Sequence, residues 1–514
     1  MADNNFTNIS QEKFRFVQQD EKLHDKALKT KPIGYFKDAW IRFKKNKASV
    51  AAAIVLGIIL LYAIIVPFVS IYKIGDMNPV YIKCTPELYI GNTTIFDGGK
   101  TKPLSDKFLA YYVGIGIAAE NPSGYGENTW ERGEKSFFNP VISLGEEYVA
   151  DGETRRTGNV STYLDKGFRY LTLTRGDLQK LLDWEKESGI QVIYPMVDWS
   201  NDYCPDETDA NLWYKAKPNY TPVDENGRDM TLDQIKEKGL VDNYLRDYKG
   251  DIVYIRSLDK TSLQIRVLYY NYYQYLTGHE PTFLFGSDAG GYDVATRMAY
   301  GLRTSLVLSF GVAIVCFIIG AIIGAIEGYY GGWVDLIIER IVDILWRMPL
   351  YIIVTLFQMH LVNTGKASVL GGLLLAFCVT GWIGTASLVR TQFYRFKNQE
   401  YILAARTLGA KDLRLMFRHI FPNAIGTIIT SSVFAIPGVI MNESTFSYLG
   451  IVNFNSRTNV SLGTMMADGQ SSLQEFPHIL LIPAAVIALM MIAFNLFGNG
   501  MRDAFNPSLR GADD

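Results

Sequence analysis

The chain of 514 residues contains few of the side chains that build metal and redox sites, with only four cysteines and five histidines. No histidine is spaced with acidic or cysteine partners as a zinc site requires, which disfavours a metalloenzyme. A nucleotide-binding loop is also missing, because the GKT segment at 99–101 has Thr94 where the phosphate-binding pattern needs a glycine. With no internal repeat, no low-complexity tract and no catalytic constellation, we expect neither an enzyme nor a nucleic-acid partner.

Long apolar runs, by contrast, are abundant. About 20 apolar residues in a helix cross the hydrocarbon core of a bilayer, which is about 30 Å thick. Five runs qualify and are nearly free of charge: 48–70, 305–326, 369–389, 424–441 and 479–498. A sixth span is expected to begin near Asp343 and to end at Val362, with Pro349 as a tolerated kink. Six spans return both termini to one side of the membrane.

The distribution of charge orients these spans, because Lys and Arg near span ends mark the cytoplasmic side. Residues 1–47 carry 11 Lys/Arg against 6 Asp/Glu, whereas residues 73–280 carry 24 against 32. Residues 390–418 again have a basic excess, of seven against two. We therefore expect a multi-pass protein of the plasma membrane with both termini in the cytoplasm. No cleavable signal peptide is apparent, since the first 33 residues are polar.

The same patterns divide the chain into units. Residues 1–32 lack an apolar stripe and are expected to form a disordered cytoplasmic tail. The next segment has an amphipathic helical pattern that suits the inner leaflet, with packing against a partner protein as the alternative. The predicted organisation is a tail at 1–32, an interfacial helix at 33–47, a first span at 48–72, an extracytoplasmic insert at 73–280, a membrane core at 281–507 and a second cytoplasmic tail at 508–514.

The insert is long enough to hold its own core, and an α+β fold is expected. A helix is predicted at 174–187 and extended segments at 87–96, 191–197 and 251–257, while 261–275 should lead the chain back to the membrane. Cys84 and Cys204 both lie in this segment. An oxidising compartment would permit a disulfide between them, but the sequence does not show that they are close.

A basic, alanine-rich segment separates two of the apolar runs: residues 401–422 read YILAARTLGAKDLRLMFRHIFP. Ala404 and Ala405 remove bulk so that another protein surface can approach, Gly409 permits a turn, and Pro422 marks the start of the next element. Two short helices at a bend are predicted. On these residues alone, an ordinary amphipathic loop helix is an equally good interpretation.

The segment resembles the EAA loop of ABC importer permeases, and its flanks extend the likeness. Residues of roughly 33–72 and 282–507 resemble the C-type subunit of oligopeptide and dipeptide permease pairs. The pieces that carry this resemblance occur in one order: FKDAWIRFKKNK, FGSDAGGYDVATRMAYGLRTSL, GYYGGWVDLIIERIVDIL, TGWIGTASLVR, EYILAARTLGAKDLRLMFRHIFPNA, STFSYLG and FNLFGNGMRDAFNP. The insert has no counterpart in the common short members.

The resemblance implies six transmembrane helices in a type I ABC importer permease arrangement, with the α+β insert between the first two. Such a chain forms half of a heterodimeric pore for oligopeptides or dipeptides that an extracytoplasmic binding protein delivers. Its partners would be a homologous second permease subunit, two ABC ATPases that dock at 399–422, and membrane lipid. ATP and magnesium would be bound by the ATPases and no cofactor by this chain.

The resemblance also assigns candidate residues. Coupling to the ATPases is expected to involve Glu400, Ala404, Ala405, Arg406, Gly409 and Pro422. Leu403 departs from the pattern, since the family usually has an acid directly before the alanine pair, and Tyr292 and Asn499 are two further departures. Asn442 and Glu443 are candidates for the pathway or an outer gate, but Glu443 is more simply explained as an anchor that accepts hydrogen bonds.

Other functions stay open at this stage. The same architecture serves permeases for nickel complexes and for some sugars. A membrane-anchored receptor or scaffold that presents the insert is a rival from a different class, and a membrane enzyme comes third.

Overall fold

The computed structural model describes residues 35–90, 93–120, 138–150, 152–197, 251–454 and 459–505, together with isolated positions between 226 and 249. The tails predicted at 1–32 and 508–514 lie outside the described residues, as does Cys204.

Two helices begin the described chain, α1 (Tyr35–Lys45) and α2 (Lys47–Val69). Asn46 separates them and caps α2, since its side chain accepts a hydrogen bond from the Ser49 backbone N–H at 3.3 Å. The amphipathic helix expected at 33–47 therefore corresponds to α1. Its apolar face packs against the last helix of this same chain.

The described residues of the insert form nine strands, and all the pairings between these strands are antiparallel. They form a hairpin β1–β2, a sheet of order β3-β5-β4, and a sheet in which β6, β7 and β8 all pair with β9. The bounds are β1 Glu87–Ile90, β2 Thr93–Asp97, β3 Gly99–Ser105, β4 Val141–Ala150, β5 Glu153–Ser161, β6 Phe168–Thr174, β7 Ile193–Tyr194, β8 Ile255–Ser257 and β9 Ser262–Leu268.

The described part of the insert also includes the helices α3 (Asp106–Glu120), α4 (Arg175–Ser188) and α5 (Tyr269–Thr277). The helix predicted at 174–187 is α4, which begins after its cap Thr174 and ends at Gly189 in a left-handed conformation. The predicted α+β class is confirmed. The segment expected to return to the membrane is a strand followed by a helix, β9 and α5.

The base of the insert is attached firmly to the start of the second span. Five aromatic side chains from the start, the middle and the end of this part of the chain pack together there: Tyr81, Tyr163, Tyr269, Tyr273 and Phe283. Backbone hydrogen bonds join 78–87 to 283–291, among them Lys83 N to Asp288 O at 3.0 Å and Ser287 N to Cys84 O at 3.0 Å. The insert is therefore not a unit that hangs from flexible linkers.

The membrane core follows the insert. Its elements are α6 Val294–Tyr330, α7 Gly332–Trp346, α8 Leu350–Phe357 with a π-helical turn at Gln358–Val362, α9 Val369–Thr380, α10 Ile383–Phe396, α11 Glu400–Thr407, α12 Asp412–Arg414 with a π-helical turn at Leu415–Ile420, α13 Phe421–Val433, α14 Ala435–Tyr448, α15 Leu462–Gln470 and α16 His478–Phe505. We call the end of the spans that meets the insert the insert end, and the end that carries α11 and α12 the loop end.

Among the described residues, five helical segments are long and apolar enough to cross a membrane, and the bent pair α7 and α8 gives a sixth if the pair is one span. The start of this span near Asp343 stays a prediction, but the expected kink at Pro349 is wrong. The helix already begins at Gly332, and the chain bends by 78° between Trp346 and Leu350, so Pro349 follows a break instead of kinking one helix. The charged residues of α7 made this part of the sequence look too polar for a span. They are compatible with a helix because they form ion pairs at the loop end.

The α7–α8 pair must cross once. It starts at the loop end, directly after α6, and α10 ends at the loop end with Phe396 next to α11. The continuous segment Val369–Phe396 is one span, so α9 must begin at the insert end. The predicted count of six spans follows from this connectivity.

Near the loop end, α6 packs closely against α10. Gly320, Gly324 and Gly328 recur every fourth residue and so lie on one face of α6. A Cβ atom at Gly324 would lie 2.2 Å from the Ala386 carbonyl oxygen, and one at Gly328 would lie 2.7 Å from the Arg390 carbonyl oxygen. The two backbones approach this closely only because these positions have no side chain.

Candidate functional site

The segment at 400–414 forms two short helical arms, α11 and α12, that meet at a bend. Gly409 lies at the bend with a φ of +83°, in the left-handed region that glycine adopts without strain. Its N–H donates to the Arg406 carbonyl at 3.0 Å, and the Ala410 N–H donates to the Ala405 carbonyl at 3.1 Å. The predicted pair of short helices is present.

The underside of this loop is buried against the spans. Ile402, Leu415 and Ile420 are fully buried and share an apolar cluster with Phe393 of α10 and Tyr329 of α6. Because a buried side chain of this size contributes about 1.5–3 kcal/mol, these contacts fix the loop on the ends of two spans. A displacement of the loop must therefore be felt by α6 and α10.

The outer surface of the loop exposes large apolar side chains. Their exposed fractions are 88% for Leu408, 67% for Leu413, 54% for Phe417, 46% for Leu403 and 43% for Tyr401. Exposed apolar groups on a polar loop are typical of a surface that binds another protein. Leu403, where the family pattern usually has an acid, thus adds apolar area to this surface.

The six residues predicted for coupling are all part of this loop. Glu400 and Ala404 are exposed on α11, and Gly409 is exposed at the bend. Ala405 is half-buried and packs towards the apolar cluster, so its small size serves the contact with the spans. Pro422 stands in the first turn of α13, directly after the π-helical turn at Leu415–Ile420. Their role in coupling stays a prediction.

Two contacts of the loop were not foreseen from the sequence. The Arg406 guanidinium donates to the Tyr329 hydroxyl at 3.1 Å, and that hydroxyl lies 2.6 Å from Asp412 Oδ1. The Lys397 ammonium donates to the Gly328 carbonyl at 3.0 Å, at the end of α6. The Tyr-Tyr-Gly-Gly sequence at 329–332 marked this position as unusual. It could not predict the hydrogen-bond partners, because they lie about 80 residues further along the chain.

A charge network lies beside the loop, where α6, α7 and α10 meet. Arg390 forms two hydrogen bonds to Asp335, at 2.6 and 2.8 Å, and an ion pair with Glu339 at 2.8 Å, while Glu327 lies 3.8 Å away. Tyr394 also donates to Asp335 at 2.8 Å. The three carboxylates are close enough to hold a metal ion, but the guanidinium already supplies their positive charge. We assign the network to holding α7 against α10.

Near the insert end, Glu443 on α14 is completely buried. Its carboxylate accepts hydrogen bonds from Ser305 of α6 at 2.8 Å and from Ser447 at 3.0 Å, with Ser444 at 3.4 Å. Asn442, beside it, is exposed. Because the carboxylate is enclosed and hydrogen-bonded, its geometry fits an anchor between α6 and α14 and does not fit a group that meets cargo.

A second polar centre precedes α6 at the insert end. Arg297 and Asp288 form a buried ion pair at 2.5 Å, and Asp288 also accepts from the Tyr292 N–H at 3.0 Å. The guanidinium lies 4.6 Å from the centre of the Tyr292 ring. Tyr292, one of the departures from the family pattern, thus stacks on an arginine where the family often has an arginine itself.

Cys84 lies at the base of the insert and carries a free, fully buried thiol. Its sulfur lies 3.5 Å from the Thr162 carbonyl oxygen, and burial raises the pKa of the thiol to about 12. Such a thiol stays protonated and unreactive near neutral pH. With Cys204 outside the described residues, the structure lends the disulfide no support, and it stays a prediction.

Two protein families match the chain. The family described as "Binding-protein-dependent transport system inner membrane component" matches residues 301–511, and the one described as "N-terminal TM domain of oligopeptide transport permease C" matches residues 34–86. The two matched ranges leave residues 87–300 between them, which include most of the insert.

Similar proteins come from the same group. The oligopeptide transport system permease protein OppC of Bacillus subtilis is 41% identical over 226 residues, which cover 44% of this chain and 72% of that protein. The dipeptide transport system permease protein DppC of Bacillus subtilis is 40% identical over 227 residues, covering 44% and 69%. A solved MetNI methionine ABC transporter in an inward-facing conformation is 15% identical, covers 41% of this chain and 96% of its own, and has a TM-score of 0.34. The chain belongs to the family of binding-protein-dependent transport system inner membrane components, in the branch of the oligopeptide and dipeptide permeases of C type.

Proposed function

We propose that this chain is the permease subunit of an ATP-driven ABC importer and forms half of a heterodimeric pore. The observation that carries the proposal is the bent loop at 399–422. Its underside is fixed to two spans, and its outer side presents Leu403, Leu408 and Phe417 to another protein. A loop of this kind has the shape that lets an external protein move membrane helices.

The proposed cargo is oligopeptides or dipeptides, delivered by an extracytoplasmic binding protein. The support is the family of the chain together with the names of its relatives, which are permeases of oligopeptide and dipeptide transport systems. The chain itself is a transport subunit and catalyses no reaction.

The proposed partners are a homologous second permease subunit and two ABC ATPase subunits, with lipid around the spans. ATP and magnesium bind to the ATPases, and this chain holds no cofactor. Closure of the ATPase pair on ATP pushes the two arms of the loop and tilts the attached spans as rigid bodies. In this mechanism Glu400, Arg406 and the apolar side chains form the contact, while Gly409 sets the angle between the arms.

The loop end faces the cytoplasm in this proposal, and the chain lies in the plasma membrane. The basic excess at 390–418 and at 1–47 supports this orientation. The position of α1 agrees, since its Ala39 and Phe43 pack against Ala504 and Phe505 at the loop end. Both termini then lie in the cytoplasm, and the insert lies outside.

The insert is proposed to shape the docking surface for the binding protein. Its attachment to the start of α6 supports this role, because a binding protein that contacts the insert would also sense the position of that span.

Gly409→Asp tests the proposal. The full chain is co-expressed with its second permease subunit and the ATPases, and the amount of ATPase that co-purifies is compared with the wild type. An aspartate must strain to adopt a φ of +83° and adds charge to the apolar contact, so at least a ten-fold loss of bound ATPase and of peptide uptake is expected.

Gly450→Asp is the matched control. Gly450 also has a left-handed φ, of +73°, and an equally open surrounding, but it follows α14 at the insert end. This variant should keep its ATPases. Normal ATPase binding and uptake by the Gly409→Asp variant would contradict the proposed function.

A further inference from the structure

Tyr329 lies where the second span ends and the loop folds back against it. It belongs to the last turn of α6 and is only 7% exposed. Its hydroxyl lies 2.6 Å from Asp412 Oδ1, to which it donates its proton, and it accepts a hydrogen bond from Arg406 Nη2 at 3.1 Å. Hydrogen bonds in which one partner is charged are about twice as strong as neutral ones.

The two partners of this hydroxyl belong to different arms of the loop. Arg406 is near the end of α11, Asp412 begins α12, and the bend at Gly409 lies between them. No ion pair within 4.0 Å joins Arg406 directly to Asp412 in the part of the chain that the structure describes. The phenol therefore connects two opposite charges and, through them, the two arms.

The ring of Tyr329 has a separate contact. It packs in the apolar cluster with Phe393, Leu415 and Ile420, which are each at most 1% exposed. A phenylalanine at this position would keep that packing and lose only the two hydrogen bonds. The link between the arms can thus be removed without removing the core beneath the loop.

The helix that carries Tyr329 reaches the other side of the membrane without a break. α6 has 37 residues and is about 55 Å long at 1.5 Å per residue. Asp293 caps its insert end by accepting from the Thr296 N–H at 2.7 Å, and Ser305 bonds to Glu443 within its first half. Any displacement of Tyr329 along the helix axis is therefore passed to the base of the insert.

We propose that Tyr329 is a positioning residue, whose hydroxyl holds both arms of the loop to the end of α6 so that the loop and this span move as one body. The proposal rests on the proposed function, since it concerns how a push from the ATPases reaches the pore. The hydroxyl sets the efficiency of coupling, whereas the apolar contacts of the loop determine whether the ATPases bind.

Tyr329→Phe tests this in the assembled importer, reconstituted in proteoliposomes with its second permease subunit, ATPases and binding protein. The measured quantity is the number of peptide molecules imported per ATP hydrolysed. A roughly ten-fold fall is expected, the equivalent of one hydrogen bond to a charged group. Tyr330→Phe is the matched control, because this neighbouring phenol is 54% exposed and makes no hydrogen bond to the described residues.

The variants Asp412→Asn and Tyr329→Phe are also combined. The double variant should lose no more than Tyr329→Phe alone, because both changes break one link. An unchanged import ratio in Tyr329→Phe, an equal fall in Tyr330→Phe, or additive losses would each overturn the proposal while leaving the proposed function intact. A wild-type chain that retains no ATPases would overturn both.

Discussion

Glu87 illustrates how far a single residue of the insert departs from its ordinary chemistry. It opens β1, and burial, followed by the nearby carboxylates of Glu280 and Asp97, raises its pKa to about 7. The unfolded chain holds this proton with an ordinary pKa near 4.5. The folded state therefore binds the proton more tightly, and the stability that this confers is complete below about pH 4.5 and is lost as the pH rises through 7.

The insert should thus be more stable at pH 5 than at pH 8, by on the order of 2 kcal/mol after allowance for residual contact with water. Thermal unfolding of the purified full chain across this range measures the difference. Glu87→Gln should remove most of the pH dependence, whereas Glu146→Gln, at an exposed position of β4, should leave it in place. An identical pH profile in the wild type and Glu87→Gln would show that Glu87 is not responsible.

Residues whose role follows from local chain geometry could be predicted from the sequence, and residues that act through distant partners could not. Gly409 was expected at a turn, and it has the positive φ that glycine adopts there without strain. Glu443 was expected to accept hydrogen bonds, and it does so from a helix 138 positions away in the chain. Tyr329 was missed, because its function depends on two side chains that only the folded chain brings to its hydroxyl.

At the scale of elements, the glycine stripe of α6 sets how closely two spans pack. Gly324→Ala places a methyl group where the Ala386 carbonyl would be 2.2 Å away, so α10 must shift. A loss of about 1–3 kcal/mol in the free energy of unfolding is expected, as for other overpacked contacts. Unfolding in SDS measures the loss.

Gly57→Ala is the control for this change, since nothing lies within 4 Å of the added methyl group on α2. It should be neutral or slightly stabilising, because alanine favours a helix more than glycine does. Equal losses in the two variants would mean that helix propensity, and not close packing, explains the effect.

Hydropathy located the spans but not their ends. α6 begins at Val294, eleven residues before the apolar run, because Asp293 caps it and Arg297 is neutralised by Asp288. A hydropathy window registers only that these residues are polar, and so it places the start of the span after them. The helix α3 was not predicted from the sequence, because Gly114 and Gly116 weaken its helical pattern. In the fold a Cβ atom at Gly116 would lie 3.0 Å from the Asn139 Cα atom, so close packing selects the glycine over helix propensity.

Across the whole molecule, the insert contacts the membrane core at a second place besides its base. The Lys100 ammonium on β3 forms an ion pair with Glu475 at 3.2 Å and lies 3.8 Å from the centre of the Phe476 ring. Both partners belong to the connection between α15 and α16. The insert is therefore fastened to the beginning of α6 and also to the beginning of α16.

A charge reversal tests whether this second contact serves docking of the binding protein. Lys100→Glu should repel Glu475 and weaken the affinity of the binding protein for the reconstituted importer about five-fold, the equivalent of roughly 1 kcal/mol. Lys100→Glu combined with Glu475→Lys should regain part of the affinity. If the single reversal docks as well as the wild type, then the proposed role of the insert in docking does not depend on this contact.

The architecture of the membrane part was predictable because its apolar runs, charges and loop pattern are each local in sequence. The arrangement of the insert was not. Its α+β class, one helix and the extended segments at 87–96, 191–197 and 251–257 could be stated beforehand. Which strands pair could not, since the sheets join distant positions, as when β6 pairs with β9 in the register Phe168 to Leu268. Pairing over about 100 residues leaves no periodic signal in either strand alone.

The contact between the two ends of the chain has a consequence for biosynthesis. Ser49, near the start of α2, donates a hydrogen bond to the Leu496 carbonyl across 447 positions, and α1 packs on the final turns of α16. α1 and the start of α2 therefore lack this packing partner until α16 has been synthesised, whereas the rest of α2 can already pack against α6. A chain released early would carry an unpaired amphipathic α1 and an incomplete seam along α2.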